Sequence, residues 1–187
     1  MSKSASNTMT AMRVGPLDGL LFASNGISLT PAPSGTRLVI RARAEAQAEA
    51  KKLLGFALPT KPKTSIIKGD VHCLWIGPDE FLVIDVDGSG LPAKFEKAGN
   101  GKLAAIDVSH RNTAIIVSGP NAVDALNSGC PQDLSLEAFP VGAASRTILG
   151  KAEMILYRTS EAEFRVECWR SFSDYVWKYL VDAVKSV

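Results

Sequence analysis

Between residues 37 and 109 the hydrophobic period switches repeatedly between two and about three and a half, and the order of those switches restricts the fold more than any motif does. "RLVIRAR" (37–43) alternates and is β-branched, which predicts a strand. "AEAQAEAKKLLG" (44–55) then offers strong helix formers, with Lys51 and Lys52 near the C-terminal end and Gly55 as the stop. After a Lys/Pro connector at 59–63, "VHCLWI" (71–76) and "FLVIDV" (81–86) read as strands joined by the hairpin link Gly77-Pro78-Asp79-Glu80. Pro92 suits the first turn of a short helix over 91–98, and Asn100-Gly101 turns the chain into a strand over 102–109. The resulting β-α-β-β-α-β order is that of a ferredoxin-like lobe.

The second half begins the same way. "TAIIVSG" (113–119) is a strand, Pro120 opens a helix through Leu126, and "SRTILG", "EMILYR" and "EFRVECWR" follow as strands. "SFSDYVWKYLVDAVKSV" closes the chain as an amphipathic helix, with Ser171 as N-cap, Asp174 three residues on, and Phe172, Val176, Tyr179, Leu180 and Ala183 on one face. The fold class is therefore α+β: two ferredoxin-like β-α-β-β lobes packed together, approximately 37–109 and 110–187. Residues 1–36 are rich in turn chemistry (Gly15-Pro16, Asn25-Gly26, Pro31, Pro33, Gly35) and read as a tail, irregular or ordered by a partner.

Charge restricts partners. Net charge is +2 and no basic run exceeds Lys51–Lys52, so the basic stripe that nucleic acid requires is missing. Charged residues are 21% of the chain, a little below the roughly 25% of soluble domains, which fits a protein that covers part of its surface with a partner. No apolar run approaches the ~18 residues of a membrane span, and the Ser/Thr/Asn-rich start lacks the apolar core of a signal peptide. Cys73, Cys130 and Cys168 are odd in number and widely spaced, which predicts free thiols in a reducing compartment. These features together predict a cytoplasmic chain without membrane or nucleic-acid contacts.

Several clusters imitate active sites. Asp107, Ser109 and His110 suggest a hydrolase triad, but the strand period sends His110 to the face opposite the other two, and no G-x-S-x-G elbow exposes a serine. Ser109 and His110 read instead as the end of a strand, satisfying backbone groups at its turn. His72 and Cys73 likewise diverge, so no metal centre is expected. "VDGSGLP" lacks the third glycine of a dinucleotide fingerprint, and "GNGK" lacks the spacing of a P-loop. Asp85, Asp87, Glu153, Glu163 and Glu167 form no pair by spacing and read as solvated carboxylates. No catalytic, cofactor-binding or metal-ligating residue is assigned. Among Trp75, Trp169 and Trp177, the pair Trp169-Arg170 is the candidate partner contact, because both residue types are enriched at interface hot spots.

Three blocks, "LWIGPDEFLVI" (74–84), "DVSHRNTAIIVSGPNAVDALNSGCPQDL" (107–134) and "ILYRTSEAEFRVECWRSFSDYVWKYL" (155–180), together resemble the gamma-subunit family of heterotetrameric sarcosine oxidases. That family is related to the folate-binding fold of aminomethyltransferase (T-protein), where a similar Asp-x-Ser strand precedes a strand, a glycine and a helix. The resemblance implies a non-catalytic subunit that docks on alpha, beta and delta subunits. FAD, FMN, NAD and tetrahydrofolate belong to the assembled complex and none to this chain. The complex demethylates sarcosine to glycine, giving formaldehyde or methylene-tetrahydrofolate and hydrogen peroxide. Where the folate enzymes carry an acidic pair and an asparagine, this sequence has Lys151-Ala152-Glu153 and Cys168-Trp169, a departure that counts against folate binding. The alternative is a stand-alone folate-binding, aminomethyltransferase-like protein with Glu153 as its surviving contact.

Overall fold

Strand β3 (Thr36–Ala42) opens the first lobe in the computed structural model, which describes residues 14–88, 90–97 and 103–187. A 3-10 turn at Ala44–Ala46 leads into α1 (Gln47–Leu54). Gly55 ends that helix in the left-handed region, at φ 78°, where its N–H reaches the Lys51 carbonyl. Strands β4 (Ser65–Lys68), β5 (Val71–Trp75) and β6 (Glu80–Asp85), helix α2 (Leu91–Lys97) and strand β7 (Leu103–Asp107) complete the lobe. The sheet order is β4-β5-β6-β3-β7, antiparallel throughout. Removing the edge strand β4, which the sequence pattern did not predict, leaves the strand order of a β-α-β-β-α-β unit. The glycine-rich "GNGK" lies outside the described residues, as do residues 1–13 of the expected tail.

The second lobe contains β8 (Asn112–Ser118), α3 (Ala122–Asn127), β9 (Ala144–Leu149), β10 (Ala152–Ser160), β11 (Glu163–Trp169) and α4 (Ser173–Ser186). Its fifth and sixth strands come from the segment expected to be irregular: β1 (Phe22–Ser24) and β2 (Ile27–Pro31). The sheet order is β1-β2-β8-β11-β10-β9. Strand β2 pairs with β8 on the side away from β11, with Leu29 opposite Val117. Asn25 and Gly26 make the turn between β1 and β2 at φ 51° and 73°, the two positive values that a two-residue type I′ hairpin demands. Gly119, at the end of β8, is required by contact: a Cβ there would collide with the Gly26 carbonyl oxygen.

Four layers result. Leu38, Ile40, Phe81, Val83, Leu91 and Phe95 bury one face of the five-stranded sheet beneath α1 and α2. Helices α3 and α4 cover the outer face of the six-stranded sheet over Leu29, Val117, Leu156, Phe164 and Val166. The inner faces meet through Leu74, Leu82, Ile84, Ile155 and Tyr157. Helix α4 begins later than expected: a 3-10 turn occupies Arg170–Phe172, and the Ser173 hydroxyl donates to the Arg170 carbonyl at 2.7 Å. Ser171 is therefore not the N-cap. Phe172 points out, 40% exposed, while Val176, Trp177, Leu180, Ala183 and Val184 are buried.

Candidate functional site

The Asp107–Ser109 cluster clasps two strands. The Ser109 hydroxyl accepts the Arg37 backbone N–H at 2.8 Å and donates to Asp107 Oδ1 at 2.5 Å. Asp107 Oδ1 also accepts the Ser109 N–H at 2.8 Å. The strand stops at Asp107, and the following turn returns the Arg111 and Asn112 N–H groups to the Val108 carbonyl. This clasp joins the end of β7 to the start of β3, and its chemistry is that of a turn.

One carboxylate read as solvated is buried. Glu167, on β11, is 1% exposed and lies between two guanidiniums: Oε2 accepts from Arg37 Nε and Oε1 from Arg165 Nε, each at 2.7 Å. Arg37 belongs to the five-stranded sheet and Glu167 to the six-stranded one, so this ion pair crosses the interface. Period two along "EFRVECW" places Glu163, Arg165, Glu167 and Trp169 on one face, and that same-face alternation of charge was the readable signal. Glu163 accepts the Thr159 hydroxyl at 2.7 Å. Asp85 is buried and accepts the Gly88 N–H at 3.1 Å, whereas Asp87 is exposed. In "VDGSGLP", Gly88 and Gly90 stand at φ 73° and 75°, and Leu91 and Pro92 open α2.

Two clefts open on the interface, and Asn112 lines both. The larger, about 710 Å³, is bordered by the 15–19 and 31–37 segments, Ser109, Thr113 and Arg170. The smaller, about 280 Å³, gathers Glu80, Glu153, Arg111, Arg146 and Trp169 around Val39 and Ile155. Glu80 is committed to Arg41 at 2.6 Å and to Arg146 at 2.8 Å. Folate fits this smaller cleft poorly. Its volume lies at the lower edge of the roughly 300–1,000 Å³ of ordinary ligand sites, Glu153 is exposed, and Cys168 is buried in the core beneath α4. Burial pushes the Cys168 and Cys73 thiols up to about 12, which keeps both protonated and unreactive at neutral pH. Among the described residues no three His, Cys, Asp or Glu side chains are placed to share a metal ion, and no helix is long and apolar enough to cross a membrane.

His72 packs edge-on against Tyr157, with ring centroids 5.8 Å apart. Burial and, secondarily, the Arg165 charge hold its pKa below the ordinary 6.5, against a smaller opposing pull from Asp70. The unfolded chain therefore binds this proton more readily than the folded one. Stability is complete above about pH 6.5 and falls as pH drops below it, until the folded pKa is reached. Melting temperatures between pH 7.5 and 5.5 should show this slope, and His72→Phe should flatten it. An equal slope in that variant would remove His72 as its source.

Trp169 and Arg170 stand together where β11 runs into α4. Trp169 is 40% exposed, and the Arg170 N–H donates to the Arg111 carbonyl at 2.8 Å. Arg111 lays its guanidinium over the Trp169 ring, 5.2 Å from the centroid. The structure thus adds Arg111, which the sequence pattern did not single out, to the predicted pair.

Two antiparallel sheets packed face to face, with helices over their outer faces, define the class of fold found in aminomethyltransferases. Aminomethyltransferase T of the glycine cleavage system from Bartonella henselae superposes with a TM-score of 0.59 at 14% identity, over 83% of this chain and 45% of that one. The chain belongs to the sarcosine oxidase, gamma subunit family, whose profile matches residues 41–186. It is 33% identical over 135 residues to sarcosine oxidase subunit gamma of Corynebacterium sp. strain P-1, covering 70% of this chain and 66% of the relative. The subunit gamma of Arthrobacter sp. is 38% identical over 112 residues, covering 59% and 55%. These alignments span less than two thirds of either relative's length. A chain of the heterotetrameric sarcosine oxidase from Corynebacterium sp. U-96, solved in complex with pyrrole 2-carboxylate, superposes with a TM-score of 0.85 at 26% identity, over 93% of this chain and 95% of that one.

Proposed function

We propose that this chain is the gamma subunit of a heterotetrameric sarcosine oxidase and serves it as a folded docking module. The observation that carries the reading is the family match over residues 41–186, which takes in strands β4 to β11 and helices α1 to α4. The described polar groups of the interface favour a structural role, because Glu167, Arg37, Arg165, Glu80 and Arg146 are engaged with one another. In this reading the alpha, beta and delta subunits hold FAD, FMN, NAD and tetrahydrofolate. The assembled cytoplasmic enzyme converts sarcosine to glycine, with formaldehyde or methylene-tetrahydrofolate and hydrogen peroxide as further products. Trp169 and Arg170 face a partner.

Co-expression of the four subunits with a tag on this chain tests the proposal. The expected product is a four-chain flavoprotein that consumes oxygen when given sarcosine. A folded tagged chain recovered without the three other subunits, even at low salt, would overturn it.

A further inference from the structure

We propose that the strip Trp169–Phe172–Tyr175, flanked by Arg111 and Arg170, is the docking face for another oxidase subunit, one that presents carboxylates around an apolar recess. This rests on the reading of the chain as a subunit. The three aromatic side chains are 40%, 40% and 37% exposed and succeed one another at intervals of three residues. The Trp169 and Phe172 rings lie 6.0 Å apart, as do those of Tyr175 and Tyr179. Half-exposed Trp and Tyr beside Arg is the composition of interface hot spots rather than of ordinary surface.

The strip is also held in place before any partner arrives. Arg170 is fixed at both backbone groups: its N–H donates to Arg111 and its carbonyl accepts the Ser173 hydroxyl. The Tyr175 hydroxyl accepts the Lys151 N–H at 3.1 Å. Stacking of Arg111 on Trp169 limits both side chains. A face already ordered loses less entropy on binding.

Charge identifies the occupant. Neither Arg111 nor Arg170 belongs to an ion pair among the described residues, whereas Arg37, Arg41, Arg43, Arg146 and Arg165 all do. The nearby acid Asp174 is bound to Lys178 at 2.8 Å. Glu153 lines the smaller cleft with Arg111 but forms no ion pair with it. Two guanidiniums beside an aromatic strip therefore await carboxylates from outside the chain. Among the other exposed apolar residues, Ile67 lies in the edge strand β4, and Val141 precedes Gly142, whose carbonyl accepts the Ser65 hydroxyl of that strand. Lys61, Lys63 and Lys68 surround that strand, the pattern that blunts a sheet edge against pairing.

The test compares tagged chains co-expressed with the three other subunits and washed at low and high salt. The unaltered chain should retain its partners, and lose them progressively as salt rises. Trp169→Ala should weaken retention by about 10-fold or more, and the double reversal Arg111→Glu/Arg170→Glu by about 100-fold. Phe172→Ser, in the 3-10 turn, provides a second aromatic variant should Trp169→Ala fail to fold. Ile67→Glu/Val141→Glu should bind as the parent does. Folded strip variants that bind within threefold of a competent parent, or loss confined to the Ile67/Val141 variant, overturn the proposed face while leaving subunit membership intact. A parent chain that retains none of the three subunits overturns the membership itself.

Discussion

Glu167→Gln is expected to lower the free energy of unfolding by about 3–5 kcal/mol and the melting temperature by about 10 °C. The carboxylate now gives Arg37 and Arg165 one acceptor oxygen each, both at 2.7 Å. An amide keeps only one oxygen and turns its NH2 group toward the other guanidinium. Two positive charges then share a site that water barely reaches, since Arg37 is 3% and Arg165 9% exposed. The penalty comes from the charges left behind rather than from the bond removed. Guanidinium chloride titration measures it as a drop in midpoint at constant slope. A variant within about 0.5 kcal/mol of the parent, the range of ordinary surface changes, would mean that the triad is better solvated than its burial indicates.

A companion variant separates the worth of the triad from the cost of breaking it. Replacing Arg37, Arg165 and Glu167 together by Met, Leu and Leu removes every charge at once, so the stability lost in Glu167→Gln should largely return. The geometry of the interface is another matter. Glu167 and Trp169 share one face of β11, and the Arg37–Glu167 pair links one sheet to the other, so the triad fixes how the sheets align as well as how firmly they hold. The all-apolar variant should therefore be stable yet retain its partners less well than the parent.

The first lobe was legible because its elements carry local signals, even though β3 pairs with the distant β6 and β7. A β-branched alternation, a helix with its glycine stop and a hairpin link sufficed to place β3, α1, β5 and β6. The β1–β2 hairpin was misread because its role lies at long range: Thr30 pairs with Ile116, and no local period announces that. Asn25-Gly26 was nonetheless a hairpin signal with the alternating "ISLT" beside it. Glu167 was misread for a different reason. Spacing places a side chain on a face, but only the tertiary packing decides that this face of β11 meets a second sheet rather than water. The same limit explains Phe172, whose helical phase disappears once the chain makes a 3-10 turn before α4. The Trp169-Arg170 pair could be singled out by residue type alone, but Arg111 could not, since it joins them only through the β8–β11 pairing that sets Asn112 opposite Trp169.

Arg158→Met is the second large loss, about 3–5 kcal/mol, and it arises without any ion pair. Arg158 is 2% exposed and gives its donors to four carbonyls: Leu134 at 2.9 Å, Phe139 at 2.8 Å, Glu161 at 2.6 Å and Ser160 at 3.3 Å. Its guanidinium also lies 4.7 Å from the centre of the Phe164 ring. Methionine matches the length and the apolar stem, so little packing is lost, but the buried carbonyls keep no partner, at about 1–3 kcal/mol for each one fully sequestered. Lysine keeps the charge with a single nitrogen that cannot span both ends of the 134–139 loop, so Arg158→Lys should recover only part of the loss. Hydrogen exchange distinguishes this from general destabilisation. The Phe139 and Ala143 amides, bonded to Ser135 and Pro140 within the loop, should lose protection first and most, about 100-fold or more, while those of β8 and β11 change only with global stability. Uniform loss across both regions would mean that Arg158 supports the whole sheet and not the loop.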